Sequence, residues 1–290
     1  MGMFFFGMGF SSLAAARAIH EIIDRDIPIA GTTRTEEGLE ALAESPYRMH
    51  VFDGVAPGAT LRDDLHKATH VVLSIPPTED GDPALNLHRG DLDRAPNLEW
   101  LCYYSTVGVY GDFGGQWIDE TAPTRPINQR SAHRVEVEQQ WRDYAAERNV
   151  PLVILRLAGI YGPGRSSFDK LREGTARRIV KPGQVFNRIH VEDIGRVTAL
   201  AAQRKLAGTF NLADDEPAPP QDLIEYAARA TGVAVPPDVP FETAEMTPMA
   251  RSFYSDNKRV SNKAIKQAIG VDLLYPNYRV GLDAIGKVPA

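Results

Sequence analysis

Residues 3–12 read MFFFGMGFSS, a short apolar run that leads directly into glycines and serines. The pattern matches G-x-G-x-x-G, with Ser12 in place of the third glycine, and an amphipathic helical pattern follows it. In such a turn Gly7 permits the tight bend and Gly9 lets the backbone approach a pyrophosphate, while the helix N-terminus attracts the phosphates. The predicted phosphate-binding residues are Gly7, Gly9, Phe10, Ser11 and Ser12. The stretch therefore predicts a dinucleotide site, and a glycine-rich turn without a ligand is the alternative.

Outward from this stretch, short apolar runs alternate with helical patterns. Candidate strands lie at residues 3–6, 27–31, 47–52, 70–75, 100–105 and 152–157. Candidate helices between them lie at residues 13–23, 36–43, 61–68 and 130–147. Strand-helix alternation implies right-handed crossovers and a doubly wound parallel sheet with helices on both faces. The predicted fold class is thus α/β, a Rossmann fold with a smaller mixed lobe.

The regular alternation weakens after Leu157, where glycine and proline become frequent. Further helical patterns lie at residues 194–203, 223–230 and 262–269. We expect residues 1–160 to form the nucleotide-binding domain and residues 161–290 a smaller substrate-binding lobe. Residues 185–212 are expected to return to the first domain, with 188–203 adding a strand and a helix to the main sheet.

Composition narrows the class of protein. The chain has 290 residues, 43% hydrophobic, and a formal net charge of -6. No apolar run approaches the roughly 18 residues that span a bilayer, and the acidic balance disfavours nucleic acid as a partner. Cys102 is the single cysteine, which excludes an internal disulfide and a cysteine-rich metal site and suits a cytoplasmic protein. We expect no metal, no membrane and no nucleic acid.

The second predicted strand ends in GTTRTEE, without the acidic residue that an NAD site places at this tip. Thr33 stands there and Arg34 follows, placed to bind a 2′-phosphate, so NADP is expected in preference to NAD. A surface arginine that starts a helix is the alternative. Ligands in such sheets lie beyond the carboxyl ends of the strands. The other strand-end residues expected at the cofactor are Asp53, Ser74, Pro76 and Thr106. A turn or cap role is an equal alternative for Asp53.

Several segments, in order, resemble the extended branch of the short-chain dehydrogenase/reductase superfamily, which holds nucleotide-sugar epimerases and dehydratases. They are FFFGMGFSS (4–12), CYYSTVGVYGD (102–112), DETAPTRP (119–126), LRLAGIYGPGR (155–165), RIHVEDIGRV (188–197), GTFNLADDEP (208–217) and NKRVSNKAIKQAIG (257–270). The resemblance spans essentially the whole chain. It implies a nicotinamide cofactor and a substrate pocket beside it.

The resemblance also implies a Ser or Thr after the fifth strand, which Thr106 matches, and Tyr-x-x-x-Lys on the next helix. Counted from Pro126, those two positions hold Arg130 and Arg134. An arginine stays protonated and does not cycle protons near pH 7, so the family's usual tyrosine mechanism is excluded. Arg134 is expected to hold the cofactor ribose, and Arg130 to attract an anion. Alternatively both are exposed helix residues.

In that alternative, Arg134 forms a weak surface pair with Glu138. The string YSDNK (254–258) does match Tyr-x-x-x-Lys, but it comes about a hundred residues too late along the chain to lie on that helix, so we interpret it as a chance match. If the protein is catalytic, a substitute proton donor is expected from Tyr110, His133 or His190. Tyr110 is the leading candidate, with simple packing beneath its loop as the alternative.

The resemblance implies a substrate pocket lined by several arginines, a tyrosine and a histidine. The residues expected there are Tyr161, Arg165, Arg188 and His190, together with Arg130 and Arg251. This local excess of positive charge suggests an anionic small molecule, while scattered surface charge is the alternative. We expect an NADP-dependent oxidoreductase or epimerase-like enzyme, a monomer or homodimer. A non-catalytic NADP(H) sensor is the second hypothesis, and a scaffold stabilised by its ligand is the third.

Overall fold

The apolar runs form the strands of one large sheet in the computed structural model, which describes residues 1–286. Up to residue 106 the elements are β1 (Met3–Phe6), α1 (Phe10–Ile22), β2 (Ile29–Thr33), α2 (Glu36–Glu40), β3 (Arg48–Val51), α3 (Arg62–Lys67), β4 (His70–Leu73), α4 (Pro83–Asp93) and β5 (Trp100–Thr106). A 3-10 turn at Val107–Tyr110 follows β5.

The remaining chain returns to this sheet and also builds smaller structures. Its elements are β6 (Trp117–Ile118), α5 (Gln129–Arg148), β7 (Leu152–Leu157), β8 (Gly159–Tyr161), α6 (Ser167–Arg172), β9 (Arg178–Val180), β10 (Arg188–His190), α7 (Val191–Gln203), β11 (Gly208–Leu212), α8 (Pro220–Thr231), β12 (Asp238–Pro240), α9 (Pro248–Ser252), β13 (Arg259–Val260), α10 (Lys263–Ile269) and α11 (Tyr278–Gly286). Within residues 1–286, no helix is both long and apolar enough to cross a membrane.

The main sheet has seven parallel strands in the order β11-β7-β5-β4-β1-β2-β3. Every side chain of β1 and of β7 is buried, as expected for strands covered by helices on both faces. The strand order reverses at β1, which lies between β2 and β4. The turn after β1 therefore lies at the switch point where such sheets bind ligands. This architecture confirms the predicted doubly wound α/β fold.

Small residues bring two helices close together over this sheet. A Cβ built on Gly195, in α7, would lie 2.5 Å from the carbonyl oxygen of Ala14 in α1. The alanines of α1 at positions 14, 15 and 16 are buried at the same place. Helix α7 therefore packs on the same layer as α1.

The chain divides into two compact units. The first contains Met1–Thr106, Gln129–Arg156 and Ile194–Phe210. The second contains Val107–Asn128, Leu157–Asp193 and the described residues from Asn211 onward. The segment Val107–Asn128, which the sequence analysis assigned to the nucleotide-binding domain, thus belongs to the second unit.

The second unit contains three small parallel pairs: β8 with β10, β9 with β12, and β6 with β13. The prediction that the strand at Arg188 joins the main sheet is wrong, because β10 pairs with β8 instead. The strand that completes the main sheet is β11, at Gly208–Leu212. Its sequence GTFNL is too short and too mixed to identify as a buried strand from periodicity alone.

Candidate functional site

The backbone of the turn after β1 is held on the neighbouring strand β2. Gly7 has φ +92°, a conformation that side chains rarely adopt, and a Cβ there would lie 2.9 Å from Ile75 Cγ2. The Gly7 N–H donates to Thr32 Oγ1 at 2.9 Å, and the Met8 N–H donates to the Thr32 carbonyl at 2.7 Å. Thr32 is buried and locks the turn, so Gly7 has a structural role at this position.

The opposite end of the turn is open. Gly9 is the N-cap of α1, is exposed, and has no atom within 4 Å of a built Cβ. No side chain of residues 1–286 caps this helix, whose N-terminus carries unsatisfied N–H groups and a positive dipole end. Phe10 is half-buried, and Ser11 and Ser12 are buried in the first turn. The space above Gly9 suits the close approach of a phosphate.

Ser12 provides a more specific sign of a ligand at this turn. It is fully buried, and its Oγ has no hydrogen-bond partner anywhere in the described chain. A buried hydroxyl without a partner costs free energy, because folding removes its hydrogen bonds to water. An acceptor at the start of α1, such as a pyrophosphate oxygen, would satisfy it. The residues present therefore fit a dinucleotide cofactor.

The tip of β2 exposes one cation. Thr33 is half-buried, and its hydroxyl donates to the Thr35 carbonyl at 3.1 Å, while Thr35 caps α2. Arg34 between them is exposed, and its guanidinium forms no hydrogen bond or ion pair with residues 1–286. The side chain is thus available to an anion such as a 2′-phosphate.

The remaining predicted cofactor residues lie after the carboxyl ends of β3, β4 and β5. Asp53 is exposed, and its Oδ1 accepts from Val55 N at 2.8 Å, a bond that lowers the pKa of the carboxyl. This is the turn role that the sequence left as an alternative. The Ser74 N–H donates to the Phe6 carbonyl at 2.9 Å, beside the glycine turn. Pro76 is exposed, and Thr106 is half-buried at the end of β5.

Helix α5 carries Arg130 and Arg134, the two arginines that the sequence analysis predicts at the family's Tyr and Lys positions. Arg130 is exposed and forms no hydrogen bond or ion pair with the described residues. Arg134 donates to the Tyr103 hydroxyl at 3.0 Å and to the Tyr104 carbonyl at 2.6 Å, and its guanidinium lies 5.6 Å from the Tyr103 ring centre. Burial raises the pKa of Tyr103, which keeps its phenol neutral. Arg134 is therefore fixed to strand β5.

Glu138, one turn beyond Arg134, belongs to a buried ion-pair network. Its carboxylate accepts from Arg156 at 3.0 and 2.7 Å, from Ser105 Oγ at 2.6 Å and from Arg142 at 2.9 Å. Burial opposes ionisation, but the hydrogen bonds and charge of Arg156 hold the pKa of Glu138 below its ordinary value. The surface pair of Arg134 with Glu138 is wrong, because Glu138 is only 1% exposed and its partners are Ser105 and Arg156 on the sheet and Arg142 on α5.

This network was not identified from the sequence, although one signal was present. Arg156 lies within the otherwise apolar strand LVILRL, and a guanidinium buried there requires a carboxylate. Glu138 is the buried acid that supplies it. The network joins β5, α5 and β7 beside Thr106.

Tyr110, the leading candidate proton donor, lies in the core of the second unit. It is fully buried, and its hydroxyl donates to Asn211 Oδ1 at 2.7 Å. Asn211 is also buried, with its N–H donating to Glu120 Oε1 at 2.7 Å. Such a phenol holds the loop after β5 in place, so the packing alternative describes Tyr110 and the proton-donor role does not.

Tyr161 and His190 form an aromatic cluster with Tyr275 in the second unit. The rings of Tyr161 and His190 meet edge to face at 5.1 Å, and His190 and Tyr275 at 3.9 Å. Burial lowers the pKa of His190 to about 4, so it stays uncharged near pH 7 and does not titrate there. Burial also raises the pKa of Tyr161. Because both are buried, neither presents the surface expected of a stacking platform or proton donor.

The predicted substrate cations of the second unit have different environments. Arg165 is exposed. Arg188 is buried and donates to the carbonyls of Phe186 and Ala218, each at 2.9 Å. Arg251 donates to the carbonyl of Ala244 at 2.7 Å and packs over an aromatic ring. Arg188 and Arg251 thus support backbone loops.

The chance match YSDNK also belongs to the second unit. Tyr254 and Lys258 are buried, and the ammonium of Lys258 donates to the Gly111 carbonyl at 3.0 Å and to Asp256. Neither residue lies on α5. Across residues 1–286, no group of three or more His, Cys, Asp or Glu side chains is arranged to hold a metal ion.

Comparisons with known proteins agree with this fold. Residues 91–213 match the model of the NAD dependent epimerase/dehydratase family. Protein YeeZ of Escherichia coli strain K12 is 26% identical over 242 residues, which cover 79% of this chain and 84% of that protein.

Two solved structures extend the comparison. A functionally unknown conserved protein from Silicibacter pomeroyi DSS is 46% identical, with a TM-score of 0.87 over 98% of both chains. A UDP-glucuronic acid 4-epimerase from Bacillus cereus, solved in complex with NAD, shares the fold at 16% identity and a TM-score of 0.76, over 98% of this chain and 97% of that one. The family binds NAD(P). The switch-point turn, the seven-stranded sheet and these matches together show a Rossmann-like α/β fold, in which residues 91–213 are similar to the NAD dependent epimerase/dehydratase family.

Proposed function

We propose that this protein binds NADP(H) and acts as an oxidoreductase or epimerase-like enzyme on an anionic small molecule, without a tyrosine as its acid-base group. One observation is the main support for the proposal that the protein binds NADP(H). The uncapped start of α1 presents a buried Ser12 hydroxyl without a partner beneath the open space at Gly9. That arrangement suits a pyrophosphate, which would satisfy the Ser12 hydroxyl.

Support for NADP over NAD comes from the tip of β2. Arg34 is exposed and unpaired within the described chain, and no acidic side chain stands at the position where a ribose 2′-hydroxyl would be bound. A guanidinium binds a 2′-phosphate with two parallel hydrogen bonds. We assign Arg34 to that phosphate and the turn residues Gly7 to Ser12 to the pyrophosphate.

The chain's own residues suggest how a substrate would be bound. A bound nicotinamide supplies hydride transfer. Arg130 is exposed near the start of α5 and can attract a carboxylate or phosphate, and it can stabilise charge that develops there. Arg134, held by Tyr103, keeps a fixed positive charge at the end of β5. Thr106 provides a hydroxyl on the same strand.

A proton must come from a group other than the two arginines. His133 is half-buried on α5, and its ring forms no hydrogen bond with residues 1–286, whereas Tyr110 and His190 are enclosed. We therefore assign acid-base work to His133, because an imidazole can both donate and accept a proton. Replacing His133 with Gln is expected to abolish turnover while leaving cofactor affinity unchanged.

A non-catalytic NADP(H) sensor is the second candidate. It is favoured by the enclosure of Tyr110, which donates to Asn211, and by the fixed position of Arg134 on Tyr103. A sensor needs binding and a difference in affinity between the two redox forms, but it needs no proton transfer. Unequal affinities for NADPH and NADP, with no turnover on carbonyl and nucleotide-sugar panels, would support this candidate.

The test is a calorimetric titration of NADPH, NADP, NADH and NAD into the purified protein. We expect NADP(H) to bind more tightly, and Arg34→Ala to lose about tenfold in NADP(H) affinity, the effect of one charge-assisted contact. The affinity for NAD(H) should not change. Arg25→Ala, at another exposed arginine, is the matched control. Equal binding of all four nucleotides by the wild type would overturn the NADP assignment, and no binding would overturn the cofactor site itself.

A further inference from the structure

The second unit contains an open cavity of about 1110 Å³ that none of the predicted site residues lines. Its walls come from the segment 113–123, from the start of α10 and from the loop after β11. The apolar part of the lining is formed by Phe113, Trp117, Ile118 and Val260. A cavity of this size, with an apolar surface and several polar groups, has the properties of a small-molecule site.

Trp117 gives this cavity an exposed aromatic surface. Its side chain is 59% exposed, whereas the other tryptophans, Trp100 and Trp141, are completely buried. Strand β6 holds Trp117 in register with Arg259 of β13, so its backbone position is fixed. A rigid, exposed indole offers a flat apolar face at little cost in conformational entropy.

Asp214 lies in the wall of the same cavity with an unsatisfied oxygen. It is only 2% exposed, its Oδ1 accepts from Glu216 N at 3.2 Å, and its Oδ2 has no partner in residues 1–286. Burial raises the pKa of Asp214 to about 8, against the opposing charge of Arg188. Oδ2 is also inaccessible to solvent, so Asp214 supports the cavity wall from behind and is not a group that a ligand in the open cavity reaches.

The charged groups around the cavity are largely balanced by one another. Lys266 binds both oxygens of Asp215 at 3.0 Å and also reaches Asp272 at 3.2 Å. Lys263 and Asp119, both exposed, contribute one charge of each sign. The lining therefore offers no net charge to attract an ion.

Amides complete the polar lining. The side chains of Gln116 and Gln267 form no hydrogen bonds with the described residues. Asn262 Nδ2 is already used, donating to Asp215 Oδ1 at 2.7 Å and to the Ala213 carbonyl at 2.8 Å. Free amides provide donors and acceptors side by side, which matches the paired hydroxyls of a sugar.

We propose that this cavity is a carbohydrate-binding site, in which an uncharged saccharide places an apolar face on Trp117 and hydrogen-bonds through its hydroxyls to the free glutamine amides. An uncharged ligand suits a lining whose solvent-accessible lysines and aspartates balance one another. Its CH-rich face complements the exposed indole. The site shares no residue with the proposed cofactor and substrate site, so the inference stands independently of the proposed function.

The experiment is saturation-transfer NMR with maltose, cellobiose, trehalose and N,N′-diacetylchitobiose, tested one at a time on the full chain. Choline and inorganic phosphate serve as charged comparators. We expect saturable binding of at least one disaccharide, accompanied by a change in the fluorescence of Trp117. Trp117→Ala should weaken that binding at least about tenfold, the effect of losing the aromatic surface. Gln267→Ala should weaken it to a smaller extent.

Phe253→Ala is the matched control, since Phe253 is also 59% exposed in the second unit but does not line the cavity. It should leave saccharide binding unchanged. NADPH titrations of each variant report independently on the proposed cofactor site. Binding of choline or phosphate in place of sugars, binding that survives Trp117→Ala, or no binding of any disaccharide would overturn the proposal.

Discussion

The turn after β1 and the first turns of α5 are the two places where the family pattern is most informative, and they are built differently. At the turn, the backbone itself makes the site: Gly7 has a positive φ, and its N–H donates to Thr32. On α5, side chains make the structure: Arg134 binds β5, whereas Glu138, one helical turn further on, binds both β5 and β7. A backbone motif can be identified from local sequence, whereas a side-chain partner depends on what the fold brings near.

The largest expected effect is the loss of stability when the buried ion pair of Glu138 on α5 is broken. Glu138→Ala removes the carboxylate that pairs with the buried Arg156, and leaving a buried charge unpaired costs about 3–5 kcal/mol of the free energy of unfolding. Urea denaturation measures this loss in the free energy of unfolding. Glu136→Ala, at an exposed acid on the same helix, should change stability by less than about 0.5 kcal/mol.

Lowering the pH should reproduce part of the loss of stability expected for Glu138→Ala. The pKa of Glu138 is lowered in the folded protein, so its stabilisation is present above the ordinary carboxyl range and disappears as the pH falls through the folded pKa. The stability of Glu138→Ala should therefore lack the part of its fall at low pH that comes from protonation of Glu138. Equal losses of stability in Glu138→Ala and Glu136→Ala would show that the network does not hold α5 to the sheet.

The next largest effect is a loss of NADPH affinity when the turn after β1 is changed. Gly9→Asp should reduce NADPH affinity at least about a hundredfold, close to 2.7 kcal/mol, because a carboxylate repels the pyrophosphate. Folding should not suffer, since a Cβ at Gly9 meets nothing within 4 Å and Asp is a favourable N-cap for α1.

Calorimetry measures the affinity and thermal unfolding measures the stability of this variant. Gly9→Ser, a neutral cap of similar size, is the control and should retain most of the affinity. Unchanged NADPH affinity in Gly9→Asp would mean that the start of α1 does not bind a phosphate.

The smallest effect is a loss of stability at Gly7, the glycine of the turn with a positive φ. Gly7→Ala should destabilise the protein by about 1–3 kcal/mol, because the residue has φ +92° and the new methyl group would meet Ile75. Gly114→Ala is the matched control, since Gly114 has φ +59° with no atom within 4 Å.

The difference between these two variants in urea denaturation isolates the cost of the contact with Ile75. If Gly7→Ala is no less stable than Gly114→Ala, Ile75 moves aside and the turn is less rigid than its hydrogen bonds to Thr32 suggest.

The second unit was harder to predict than the first, for a specific reason. Tyr110, Tyr161, Arg188 and His190 follow short strands and loops without a clear period, so exposure could not be inferred from spacing. Each of them proved to be buried. Asp214 and the cavity beside Trp117 had no sequence signal at all, because they depend on the meeting of segments far apart in the chain.

The sequence by itself determined the doubly wound sheet and the glycine turn at its switch point, and it predicts Arg130 and Arg134 at the family's Tyr and Lys positions. These features follow from periodicity, from the conformational freedom of glycine and from residue identity, all of which are local. Only the tertiary structure decided that Arg134 binds Tyr103 and that Glu138 binds Arg156. Such partners are chosen by burial, since a charged group removed from water must find its counterpart among whatever residues the packed strands and helices place beside it.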